Sequence, residues 1–200
     1  GTLDVLLKEK LAVLIQPDSA AVARPLVPQI KAWVEQGGTL LRFAGPQLAQ
    51  TRAQDELLPL LLKEGPRTFG ESQFLGREKS RIAAFGTDSP FGKLTPPADI
   101  SINKQMLPRT DLQTGAKIWA RLEDGTPLVS ARQMGRGWVV LVHTGIDPEW
   151  SDVHLSGFFI DMLRSVVTHS AGLSAGFEGT AKALAPLRVL DGQGKAVAPG

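Results

Sequence analysis

The most constraining feature of the chain is a short apolar run, Trp138-Val-Val-Leu-Val142, followed by a polar crest and then a long amphipathic stretch. A run that is apolar at every position has no solvent face, so it marks a strand covered on both sides. Downstream, Leu155, Phe158, Phe159, Met162, Leu163, Val166 and Val167 fall at i, i+3, i+4, i+7, i+8, i+11 and i+12, one face of a helix for more than three turns. Ser151 or Asp152 stands where the N-cap belongs, and Gly172 where the helix should stop. A buried strand feeding a helix with one apolar face needs a sheet that carries helices, which is the α/β class.

The N-terminal part repeats the pattern. Thr2 can cap a short helix over residues 3–9. Leu11-Ala-Val-Leu-Ile15, closed by Gln16-Pro17-Asp18, and Thr39-Leu-Leu-Arg-Phe43 are two further strand candidates. Between them Val22, Leu26, Ile30, Trp33 and Val34 recur at threes and fours. Pro25 and Pro28 are tolerated in a first turn only, so the regular helix begins near Pro25 or later, and Gly37-Gly38 ends it. Strand, helix, strand is a βαβ unit with a right-handed crossover. Lys117 to Leu122, the Asp124-Gly125 turn, Pro127 to Arg132 and the Met134-Gly-Arg-Gly137 turn into Trp138 predict an antiparallel β-meander near residues 117–142, extending a mostly parallel sheet. The middle is less regular. Leu57–Leu62 fits a helix end or a strand, while Phe69–Phe74, Arg81–Phe85 and Ile100–Leu107 read as short strands between glycine and proline loops.

Residues 1–170 are expected to form one domain, and 171–200, thinned to glycine and alanine, a tail or linker. A start at Gly1-Thr2 without Met suggests a piece of a longer protein. Net charge is +2, with 22 basic residues scattered among 20 acidic ones, so there is no electrostatic footprint for nucleic acid. No apolar run approaches the roughly 18 residues of a membrane span, and no signal pattern opens the chain, which reads as soluble. There is no cysteine, which removes disulfides, thiolate metal sites and cysteine nucleophiles together.

His143, Asp147, Glu149, Trp150, Asp152 and His154 crowd the crest just after a central strand, where open α/β sheets bind ligands. They form a candidate binding crest. A metal or general-base reading would have His143 and His154 converge with a carboxylate orienting one of them. The alternative is a polar loop with a capping aspartate, and the spacing matches no metal or catalytic motif, so no catalytic residue, metal ligand or cofactor is assigned. Trp150 either covers a cleft or packs over the helix start, and packing is the favoured reading. Gly172-Leu-Ser-Ala-Gly176 matches a nucleophile elbow formally, but it follows a helix instead of a strand, so Ser174 lacks the required setting.

Val34 to Gly45, followed by Gly135 to Asp147 and the closing helix, resembles the class I glutamine amidotransferase-like superfamily. The resemblance implies a three-layer, flavodoxin-like α/β fold. Arg42-Phe-Ala-Gly-Pro46, Asp55-Glu-Leu-Leu-Pro59, Asp88-Ser-Pro-Phe91, Trp119-Ala-Arg-Leu122, Asp124-Gly-Thr-Pro-Leu128 and Trp150-Ser-Asp152 look like the amidotransferase-like segment of uncharacterised bacterial membrane-anchored proteins with BatA-like N-terminal membrane helices. The likeness spans roughly residues 10–170. It implies a parent anchored in the cell envelope, on a face of the membrane the sequence leaves open. Amidotransferase chemistry itself needs a cysteine on a strand-to-helix elbow, and the turn Phe43-Ala-Gly-Pro46 offers no nucleophile at all. The expected function is a non-catalytic module binding an unidentified protein or small molecule. The alternative is a degenerate or metal-assisted hydrolase using His143, Asp147 and His154.

Overall fold

The computed structural model describes residues 11–18, 22–50, 55–69, 71–72, 76–77, 80–109, 115–170, 189–190 and 196–197. The run after the second glycine turn is β9 (Gly137–Val142), and it lies at the centre of a five-stranded sheet. On one side of it come β2 (Thr39–Phe43) and then β1 (Val13–Gln16), both parallel to it. On the other come β8 (Pro127–Met134) and then β7 (Lys117–Arg121), each antiparallel to its neighbour. Four of the five strands therefore point the same way and β8 alone is reversed, a mixed α/β sheet with the expected antiparallel meander at one edge.

Strand pairing fixes which residues share a face. Leu14, Leu40, Val139 and Arg132 lie in one row across the sheet, and Ile15, Leu41, Val140 and Ala131 in the next row, on the opposite face. On the first face α1 (Val27–Glu35) buries Ile30, Trp33 and Val34 against Leu40 and Val139. On the other α3 (Gly157–Ser170) buries Phe158, Met162 and Val166 with Leu41, Phe43, Val140 and Val142. The proline reading of α1 holds: a short 3-10 turn, Arg24–Leu26, precedes the regular helix, and Gly37 follows it at φ 122°. The Gly137 position tolerates no side chain, because a Cβ there would run into the carbonyls of Val34 and Gly38 where α1 turns into β2.

The cap of α3 differs from expectation. Ser151 and Asp152 are both engaged elsewhere, a 3-10 turn at Val153–Leu155 intervenes, and Ser156 Oγ accepts the Phe159 amide at 3.3 Å. Between β2 and β7 the chain forms one short helix, α2 (Pro46–Gln50), and then small strands. β3 (Arg67–Thr68) pairs with β6 (Lys104–Gln105), and β4 (Glu71–Ser72) with β5 (Gly76–Arg77). Leu57–Leu62 forms neither helix nor strand beyond a single bridge, Leu62 to Pro108, and Ile82 in the 81–85 stretch makes only a bridge to Leu122. Near the C-terminus β10 (Val189–Leu190) pairs with β11 (Ala196–Val197). The helix expected at 3–9, Gly172 and Ser174 lie outside the described residues.

Candidate functional site

His143 immediately follows β9 and turns toward the α1 face, where its ring is fully buried. Nδ1 lies 2.7 Å from the Met106 carbonyl, which can only accept, so Nδ1 carries the proton. Nε2 is then the acceptor, and Ser130 Oγ donates to it at 2.8 Å. Burial pushes the His143 pKa down to about 4, against the opposing pull of the Met106 carbonyl, so the ring is neutral at pH 7. Serine to imidazole at this distance is the spacing of a nucleophile and its base. Sequence reasoning missed Ser130 because the contact is made across the β8–β9 hairpin. The β8–β9 register, which sets Ser130 opposite Leu141, is what brings it near. Both side chains are sealed from solvent and no carboxylate orients Nδ1, so the pair as folded is a buried polar link between two strands.

Apart from His154, the crest is self-satisfied. Asp147 Oδ1 accepts the Glu149 amide at 2.8 Å, and its carbonyl accepts the amides of Trp150 and Ser151. This is an aspartate building its own turn. Glu149 reaches Lys104 at 3.1 Å across open solvent. Asp152 Oδ1 accepts the Ser101 amide at 2.7 Å, which is why it cannot cap α3. Thr144 Oγ1 donates to Lys104 O at 2.8 Å and Ser151 Oγ to Gly145 O at 2.5 Å. His154 stands apart in the 3-10 turn, half-buried, with Nδ1 unpartnered.

Trp150 fills the carboxyl edge of the sheet, the side on which open α/β sheets bind ligands. It is 2% exposed and packs with Ala44, Leu48, Leu58, Met106 and Leu141, beyond the carboxyl ends of β2 and β9. A Cβ on Gly145 would stand 2.8 Å from Ala44 O and 3.1 Å from the Trp150 side chain, so the two strand ends and the indole are already in contact. Asp18, two residues beyond β1, lies at the same edge, against Gly45. Its carboxylate accepts the Gln47 amide at 2.7 Å and the Leu48 amide at 3.0 Å, so the start of α2 is capped by the chain's own anion. Burial raises the Asp18 pKa, and those two amides and Arg42 oppose the rise.

The structure thus gathers Asp147, Glu149, Trp150 and Asp152 on one turn, sets His143 beneath it facing Ser130, and places His154 beyond it. Among the described residues, no group of three or more His, Asp or Glu is arranged to hold a metal ion.

No family model and no curated protein matches the chain. Solved structures do. A cytoplasmic protein of Salmonella typhimurium aligns with a TM-score of 0.61 at 16% identity, over 84% of this chain and 74% of that one. A second, from Salmonella typhimurium LT2, aligns with a TM-score of 0.56 at 13% identity, over 80% and 71%. At such identities the likeness shows a shared α/β fold and no more. The envelope location expected from the resemblance is overturned. Both neighbours bear the name of cytoplasmic proteins, and among the described residues no helix is long and apolar enough to cross a membrane. The longest, α3, has 14 residues and carries Asp161 and Arg164, against the roughly 20 apolar residues a span requires.

Proposed function

We propose that this chain is a non-catalytic interaction module on an amidotransferase-like scaffold, holding a protein or small molecule without transforming it. The finer fold reading, three layers of flavodoxin type, belongs to the same proposal. Its support is the segregation of the α1 and α3 contacts to opposite faces of one sheet.

One observation carries the functional reading: His143, the residue best placed for chemistry, spends both ring nitrogens on Ser130 and Met106 and has no exposed surface. A general base must reach its substrate's proton, directly or through one water. The neighbouring strand end supports the same view. Phe43-Ala44-Gly45-Pro46, where an amidotransferase-like protein would carry its nucleophile, has none, and Trp150 packs on Ala44.

The test is direct. Purified protein is incubated with L-glutamine and assayed for ammonia, and separately dialysed against zinc or manganese and analysed for bound metal, each beside His143→Ala. The expected result is ammonia at the blank level and well under one equivalent of metal. Ammonia release, or one equivalent of metal, that disappears in His143→Ala would defeat the proposal in favour of a hydrolase.

A further inference from the structure

On the α1 face, β8 is covered by an irregular loop in place of a helix. Residues 55–61 fold back over it, held by two arginines of the sheet. Arg42 Nη1 reaches Asp55 Oδ2 at 2.5 Å and Leu57 O at 3.1 Å. Arg132 Nη2 donates to Glu56 O and Leu58 O, both at 3.1 Å. Between loop and strand an open groove of about 300 Å³ remains, with walls of Leu58, Pro59, Leu60 and Leu61 and polar groups from Asp55, Glu56 and Arg132. That volume is at the small end of the range for small-molecule sites, roughly 300–1,000 Å³.

The two carboxylates that line it each have an ion-pair partner of their own. Asp55 is neutralised by Arg42, and Glu56 by Lys31 at 2.9 Å. Arg132 is left over. It is half-buried, has no carboxylate partner among the described residues, and its Nη1 and Nε make no hydrogen bond to any of them. A guanidinium removed from bulk water is stabilised by an anion that can accept two of its parallel N–H bonds, the geometry of a carboxylate. Its fork is pre-positioned here, because two backbone carbonyls fix one nitrogen. The apolar wall beside it selects against a small, fully hydrated anion.

From this we infer that the groove is a binding site for a small organic carboxylate with a short apolar body, the acid on Arg132 and the hydrocarbon on Leu58–Leu61. The site is separate from the crest, so it extends the interaction-module reading by naming a ligand class. Loss of this inference would leave that reading standing, and the glutamine and metal assays do not bear on it.

Calorimetric titration tests it, with hexanoate as the probe, and hexan-1-ol and inorganic phosphate as controls that keep only the tail or only the charge. Hexanoate should saturate one site, and each control should bind at least tenfold more weakly. Arg132→Gln should weaken hexanoate tenfold or more, and Arg132→Lys, which keeps charge without the fork, by a smaller factor. Because Arg132 also anchors the loop, Leu61→Trp provides an independent variant that fills the groove and leaves the arginine in place; it should abolish binding with an unchanged circular dichroism spectrum. Absence of saturation at tens of millimolar hexanoate, or binding that survives both Arg132→Gln and Leu61→Trp, would overturn the inference.

Discussion

The crest after β9 and the groove beside β8 are both polar patches on one sheet, and they differ in what is left over. In the crest every conspicuous group but His154, whose Nδ1 has no partner, has a local use. Asp147 builds its turn, Asp152 holds the Ser101 amide, Glu149 meets Lys104, Trp150 is core and His143 bridges Ser130 and Met106. In the groove the acids are matched and one cation is not. Polar density in a sequence measures hydrogen-bonding capacity, whereas binding needs capacity that the fold has not consumed. An irregular segment consumes much of it, since its backbone groups lack a ladder and each must find a partner.

The comparison breaks most easily at Trp150. If the indole is core and not the lid of a cleft, Trp150→Ala should cost about 3–5 kcal/mol of unfolding free energy, the range for emptying a buried aromatic site. Urea denaturation measures it. A loss below about 1 kcal/mol would mean that the edge has room for a ligand and that the crest resembles the groove after all.

The second test concerns acid. The His143 pKa is about 4 in the fold against an ordinary 6.5, so the unfolded chain takes up its proton first as pH falls. Stability from this group is full above pH 6.5 and falls as pH drops from 6.5 to 4, and the loss totals about 3 kcal/mol once pH is below 4. His169 is shifted in the same direction by burial and by Lys117, and so steepens the same limb. His143→Gln lowers stability at pH 7, but it should flatten the decline between pH 6.5 and 4, leaving the His169 share, which Asp18 opposes because its raised pKa favours the fold as pH falls. Urea midpoints at several pH values in both proteins read this out. An unchanged slope would mean that His143 is not sealed, and the crest would regain its claim to chemistry.

What the sequence made legible was what periodicity can encode. Thr39–Phe43 matches its observed bounds, β7 to β9 form the expected meander, and the expected apolar face from Leu155 to Val167 is buried at Phe158, Met162 and Val166, while its two ends, Leu155 and Val167, are exposed. The stretch 55–109 was not legible. Its short strands and single bridges are set by partners far along the chain, such as Leu62 with Pro108 and Ile102 with Ser151, and no local pattern carries that information. The same limit governed the site. The crest stood out because its polar residues are contiguous. The Ser130–His143 contact depends on strand register, and the groove joins Arg132 to a loop more than seventy positions away. The one signal in reach was Arg132 itself, a charged residue closing a run of mostly apolar and small ones in β8.

The smallest expected effect sharpens the contrast from the other side. Glu149 is the most prominent acid of the crest, and its partner Lys104 lies 3.1 Å away, with 77% of the glutamate side chain exposed. Water screens such a pair and ordering two long side chains costs entropy, so Glu149→Gln should change stability by less than about 0.5 kcal/mol. Since its turn is built by Asp147 and its neighbour Trp150 is fixed by packing, the substitution should also leave hexanoate affinity within twofold of the parent. A tenfold change in that affinity would join the crest electrostatically to Arg132 and make the two patches one site. A near-zero effect on both stability and binding leaves Glu149 as a surface acid, and the uncompensated guanidinium as the feature that sets the groove apart.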